Sequence, residues 1–112
     1  MSEAFVWFHN GSENPSKTAS FYEKLLGWKG SPGPAGLTLL VGAKGPLAGV
    51  AARGDDPAAW LPYVQVDDVD AATKRALGLG AVLVKEKARG PAGDFTVIRD
   101  PGGATLALWK QA

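Results

Sequence analysis

Few side chains in this sequence could do chemistry, so they are taken first. His9 is the only histidine, and there are no cysteines. Thiolate nucleophiles, thiolate metal sites and disulfides are therefore excluded, and a histidine base could only be His9. His9 reads in two ways: a base or polar anchor at the rim of a cavity, or a strand-end histidine bonded to a loop. Asp67, Asp68 and Asp70 have the look of an acid cluster. Cap and turn chemistry explains them almost fully, because Asp68 precedes a helical pattern and Asp70 falls in its first turn. Arg53 and Arg99 stand at strand ends, where they could hold a carboxylate or be solvated surface cations. Gly102 and Gly103 belong to a turn, and no Gly-rich phosphate loop opens a helix.

Positioning these residues falls to a repeated order of elements. Phe5 to His9 is aromatic and β-branched, which predicts a strand, and 10–14 reads as a polar loop. Asn14 followed by Pro15 predicts a helix start. Thr18, Phe21, Tyr22, Leu25 and Leu26 recur at helical spacing, and Gly27 ends the run. Strands are expected over 28–30, 37–41 and 47–53, with loops at 31–36 and 42–45. After a candidate linker at 54–59 the order returns: a strand over 61–66, a helix over 69–78 capped by Asp68, and strands over 81–87 and 95–99. The last strand follows the turn Asp100-Pro101-Gly102-Gly103, where Asp caps locally, Pro presets φ and glycine takes positive φ. In it Leu106 and Leu108 alternate with Thr105, Ala107 and Trp109. The two copies are offset by about 54 residues, with Trp7 opposite Leu61, and share pattern rather than letters.

Composition narrows the options. The 112 residues suit one domain, and 46% hydrophobic content excludes a disordered chain. A net charge of +1 without charge runs points to neither nucleic acid nor an anionic membrane. No apolar run approaches the ~20 residues of a membrane span. The opening residues lack the basic and apolar segments of a secretory signal, so a soluble cytoplasmic protein is expected.

Three stretches in order carry a family likeness. Phe21-Tyr22-x-x-Leu25-Leu26-Gly27-Trp28, then Tyr63-Val64-x-Val66-Asp67-Asp68-Val69-Asp70-Ala71, then Asp100-Pro101-x-Gly103-Ala104 resemble the vicinal oxygen chelate superfamily. That group comprises glyoxalases, bleomycin resistance proteins and extradiol dioxygenases. The resemblance spans the whole chain. It implies an α+β fold of two βαβββ modules with sheets curled around a common cavity. The expectation is one glyoxalase/bleomycin-resistance-like domain over 1–112, with module one at 1–54 and module two at 60–112. Members commonly pair modules across two chains and open sheet edges invite cover, so a homodimer is expected. Metal enzymes of the superfamily place a His, Glu or Gln on each of four strands. Carried over, those positions fall at Trp7, somewhere in 49–51, Leu61 and Ala107. None of these residues is such a ligand, and no Asp, Glu or His lies between Glu23 and Asp55.

The same placement orients the strands. With Trp7 inward, Phe5 and His9 follow, and Val6 and Phe8 face a helix. With Leu61 inward, Tyr63 and Gln65 follow. With Ala107 inward, Thr105 and Trp109 follow. The expected ligand-binding residues are therefore Trp7, His9, Tyr63, Gln65, Thr105 and Trp109, with no catalytic residue, metal or cofactor. Trp7, Tyr63 and Trp109 could stack a flat ligand or fill a small cavity as core. Trp28 and Trp60 read as edge seals or a dimer contact. No acidic residue lies on the inferred cavity faces, which suits a neutral or anionic small molecule. The expected function is metal-free small-molecule binding rather than catalysis. The alternative is a metal-dependent lyase, isomerase or dioxygenase of the same superfamily, with an unusual site built on His9 together with Gln65, Tyr63 or a carboxylate from another chain. A third option is an interaction domain.

Overall fold

Local capping fixes where each helix begins. In a computed structural model, which describes residues 4–90 and 92–111, the Asn14 side chain accepts from the Lys17 N–H at 3.2 Å. Pro15 opens α1 (Pro15–Leu26), where its missing N–H would be unpaired in any case. Gly27 closes the helix in the left-handed conformation, φ 75°, its N–H returning to the Glu23 carbonyl. Asp68 does the same for α2 (Val69–Gly78), accepting from the Ala71 N–H at 3.0 Å. Both helix starts and both ends agree with the sequence reading.

The strands are β1 (Phe5–Ser12), β2 (Lys29–Pro32), β3 (Thr38–Gly42), β4 (Gly45–Ala52), β5 (Ala59–Gln65), β6 (Val82–Gly90), β7 (Gly93–Arg99) and β8 (Thr105–Gln111). The chain is thus α+β, with the order strand, helix and three strands given twice. It divides into two compact units, Trp7–Leu61 and residues 62–111 with 4–6. In the first the strand order is β2-β3-β4-β1; in the second it is β6-β7-β8-β5. In both, the first strand of the motif pairs parallel with the last and the other pairs are antiparallel. The repeat of pattern is therefore also a repeat of topology.

In the Trp7–Leu61 unit, α1 packs on β2, β3 and β4. Leu40 and Val50 have no exposed surface, and Ala48 and Ala19 complete the cluster, with Tyr22, Trp28 and Leu47 packed against it. Phe8 shares its face of β1 with Ser12, which bonds Thr18 of α1. It nevertheless keeps 43% of its surface exposed, because α1 lies over the other three strands. Phe8, expected to face a helix, stands on the helix-side face, but α1 leaves much of it uncovered. Several boundaries also differ: β4 and β5 each begin two residues earlier than expected, β6 runs on to Gly90 and β7 begins at Gly93. The segment read as a polar loop, 10–14, continues β1 through Ser12, because Asn10, Gly11 and Ser12 pair with Val50, Ala51 and Ala52. Neighbour pairing outweighs the weak strand propensity of Asn, Gly and Ser. The strand expected at 28–30 runs from Lys29 to Pro32, and the chain then makes a short 3-10 turn, Pro34–Gly36.

In the other unit, α2 packs on β6, β7 and β8. Val69, Ile98 and Leu108 are buried beside two polar residues, Thr73 and Thr96. Thr73 Oγ1 donates to the Val69 carbonyl at 2.7 Å and lies 2.8 Å from Thr96 Oγ1. Since the single Thr73 proton is already committed, Thr96 donates to Thr73. Thr73→Val strands that buried Thr96 donor and is expected to cost about 1–3 kcal/mol. The double variant Thr73→Val/Thr96→Val should recover most of the loss, because removing both partners leaves nothing unpaired. Urea denaturation of the singles and the double checks this, and a double variant no better than the singles would contradict it.

No described helix is long and apolar enough to cross a membrane.

Candidate functional site

Strand register decides which side chains share a face, because opposite residues in a pair point the same way. Tyr63 pairs with Ala107 and Gln65 with Trp109. Ala107 in turn pairs with Val97, Trp109 with Phe95 and Thr105 with Arg99. These residues lie on the face opposite Thr96, which touches α2. So Tyr63, Gln65, Thr105 and Trp109 are brought together on one face, away from the helix. Leu106 and Leu108 pair with Ile98 and Thr96 on the helix side, as their alternation indicates. The sequence reading passed over Phe95. Its ring centroid lies 5.6 Å from that of Tyr63, and Lys85 Nζ stands 5.2 Å above the ring. Local pattern marks Phe95 only as a strand residue; its place on this face comes from the register of β7 with β8, which sets it opposite Trp109.

The face is thus ring-rich, with Gln65 and Thr105 as neutral hydrogen-bonding groups and Lys85 as a nearby cation. Burial pushes the Tyr63 phenol above its ordinary value. The protonated form is therefore favoured on folding, so this contribution to stability is whole below the unfolded tyrosine pKa, about 10. It is lost as pH rises further. Tyr63→Phe should lessen the decline in stability above that pH relative to wild type, and identical alkaline denaturation curves would contradict the burial of the phenol.

Trp7 and His9 stand on β1 in the Trp7–Leu61 unit, both half-buried and on the face opposite Ser12. His9 lies opposite Gly49 in register. A Cβ at Gly49 would come within 2.7 Å of Leu37 Cδ1, so a larger residue there would have to displace the Leu37 side chain.

Each unit also carries a cleft on its helix side. One, of about 440 Å³, is lined by charges that include Asp67, Asp68, Asp70, Lys87, Asp94 and Lys110. Here Lys87 Nζ donates to Asp70 Oδ2 at 2.9 Å, and that contact raises the Lys87 pKa. Asp68 is occupied as a cap and Asp94 by Arg89 at 3.2 Å. Asp68 and Asp70 of the acid cluster therefore do structural work. Arg53 likewise donates to the Asp56 carbonyl at 2.7 Å and closes its own turn. Asp100 Oδ1 accepts from the Gly102 and Ala104 N–H groups, which fixes the turn before β8.

A fold of two βαβββ motifs, each leaving one sheet face clear of its helix, is that of the vicinal oxygen chelate superfamily. The chain belongs to the glyoxalase-like domain family, whose model matches residues 7–109. It is similar to the anthracycline biosynthesis protein DnrV of Streptomyces peucetius, with 32% identity over 95% of this chain and 46% of that protein. The chain thus spans about half the length of the curated relatives it matches. In fold it is similar to the Mn(II)-bound glyoxalase from Novosphingobium aromaticivorans, with TM-score 0.68 and 15% identity over 98% of this chain and 40% of that one. It is also similar to methylmalonyl-CoA epimerase from Mycobacterium tuberculosis, with TM-score 0.62 and 20% identity over 96% and 87% of the two chains.

The resemblance to metal enzymes of the superfamily implies ligand positions at Trp7, 49–51, Leu61 and Ala107. Leu61 and Ala107 carry no donor atom, and the Trp7 indole offers an N–H but no lone pair. Positions 49–51 are Gly49, Val50 and Ala51, and Val50 is core. Among the described residues no three His, Asp or Glu side chains converge. The side chains at these positions do not fit a divalent ion, which requires several nitrogen or oxygen ligands at one point.

Proposed function

We propose that this chain binds a small, flat aromatic molecule, neutral or anionic, without a metal. The observation that carries the reading is the face built by Tyr63, Phe95 and Trp109, with Gln65 and Thr105 beside them and donor-free residues at the inherited ligand positions. Offset or edge-on aromatic contacts favour a flat ring, and the amide and hydroxyl would fix its orientation. Lys85 beside Phe95 favours a neutral or negative ligand over a cation. Within the Trp7–Leu61 unit, Trp7 and His9 are proposed as ligand contacts on the face of β1 opposite Ser12. The likeness to an anthracycline biosynthesis protein points the same way, since anthracyclines are flat polycyclic aromatics.

The test is thermal denaturation with a panel of aromatic carboxylates and with Zn²⁺, Ni²⁺ or Mn²⁺ alone. A ligand that binds the folded state raises the melting temperature. Aromatic carboxylates are expected to raise it and the metals to leave it unchanged. A metal-dependent rise that Trp7→Ala or His9→Ala abolishes would restore a metalloenzyme reading. No response to any aromatic compound would remove the basis for the binding face.

A further inference from the structure

The helix-side cleft of the Trp7–Leu61 unit is separate from the face just described. It is an open groove of about 560 Å³ between the start of α1, the end of β1 and residues 58–60. One wall is aromatic. The Tyr22 and Trp60 rings lie 5.5 Å apart at 64°, and Trp60 Nε1 donates to Tyr22 Oη at 3.2 Å, so each ring holds the other in place. Phe21 meets Tyr22 edge-on at 5.0 Å and keeps 56% of its surface exposed.

Another part of the lining is Asn10, which is only 8% exposed. Its neighbours on that strand face are satisfied, with Ser12 Oγ and Thr18 Oγ1 2.7 Å apart. The Asn10 carboxamide makes no hydrogen bond with any described residue. Every fully buried polar side-chain atom among the described residues has a partner. The Asn10 amide is therefore not sealed in the interior; it opens into the cleft that it lines. A carboxamide offers two N–H donors and one acceptor oxygen. Because these polar atoms reach the cleft, water completes them in the free protein and a ligand with matching groups can replace that water. At the lip, Glu13 is drawn toward Arg53 at 3.6 Å, and Lys17 supplies a positive charge.

We infer that this cleft is a second small-molecule site, for a flat heteroaromatic compound that carries a carboxamide or lactam edge. The ring lies against Phe21, Tyr22 and Trp60, and the paired donor and acceptor of the edge meet the Asn10 amide. Aromatic surface alone would accept any apolar ring. The buried amide discriminates against rings that lack the edge, because they leave it unpaired.

Nicotinamide, benzamide and toluene serve as probes at millimolar concentration, followed by nitrogen–proton correlation spectra. Nicotinamide and benzamide are expected to shift the Asn10 side-chain NH₂ and Trp60 indole resonances saturably, and toluene is not. Asn10→Leu, read at the Trp60 indole, and Trp60→Leu, read at the Asn10 NH₂, should each weaken nicotinamide binding at that cleft at least tenfold. Absence of a saturable shift at Asn10 and Trp60 would overturn the site. Toluene binding as well as nicotinamide, or unaltered binding by Asn10→Leu, would overturn the role of the amide. Should Asn10→Leu fail to fold, the wild-type comparison of nicotinamide with toluene still decides the matter.

Discussion

Leu40→Ala is expected to lower the unfolding free energy by about 2–5 kcal/mol, the range for emptying a leucine-sized volume in a packed core. Leu40 has no exposed surface and sits at the centre of the cluster with Ala19, Ala48 and Val50. Two of those neighbours are alanines, whose methyl groups have no rotamer with which to move into the void. Collapse is therefore limited, and the loss belongs in the upper part of the range. Native domains are stable by only about 5–15 kcal/mol, so this one change consumes a large share. Urea denaturation reads it directly. An unchanged midpoint would show that α1 does not cover this face of the sheet.

Trp109→Ala is expected to weaken aromatic carboxylate binding about tenfold to a hundredfold, the cost of removing one stacking partner. Trp109 is half-buried and stands next to Phe95 and Gln65 in register. Stability should fall less than for Leu40→Ala, because less of the side chain is buried. The two effects are separable by measuring affinity well below the melting transition of the variant. Equal affinity in the two proteins would exclude Trp109 from the binding face.

Much of the architecture could be read from local signals. Asn14-Pro15, Gly27 and Asp68 are helix punctuation whose physics is confined to one turn, so tertiary context does not override it. Alternation in β8 likewise separated Leu106 and Leu108 from Thr105, Ala107 and Trp109. Where the reading failed, the missing information was non-local. Asn10, Gly11 and Ser12 are poor strand formers that extend β1 only because β4 lies alongside them in parallel. Phe8 reads as core by its alternation, and its exposure follows from where α1 happens to lie. Phe95 went unrecognised because its value depends on Tyr63 and Trp109, which approach it from two other strands. The Trp60–Tyr22 contact joins residues 38 positions apart and had no counterpart in either local pattern.

The donor-free face is most directly tested by titrating 2-naphthoate into the protein while following its four tryptophan indole resonances, once with EDTA and once with added Mn²⁺. The account predicts a saturable shift of the Trp109 indole with the same dissociation constant in both samples. A shift that appears only with Mn²⁺, or no shift of Trp109 in either sample, would contradict it.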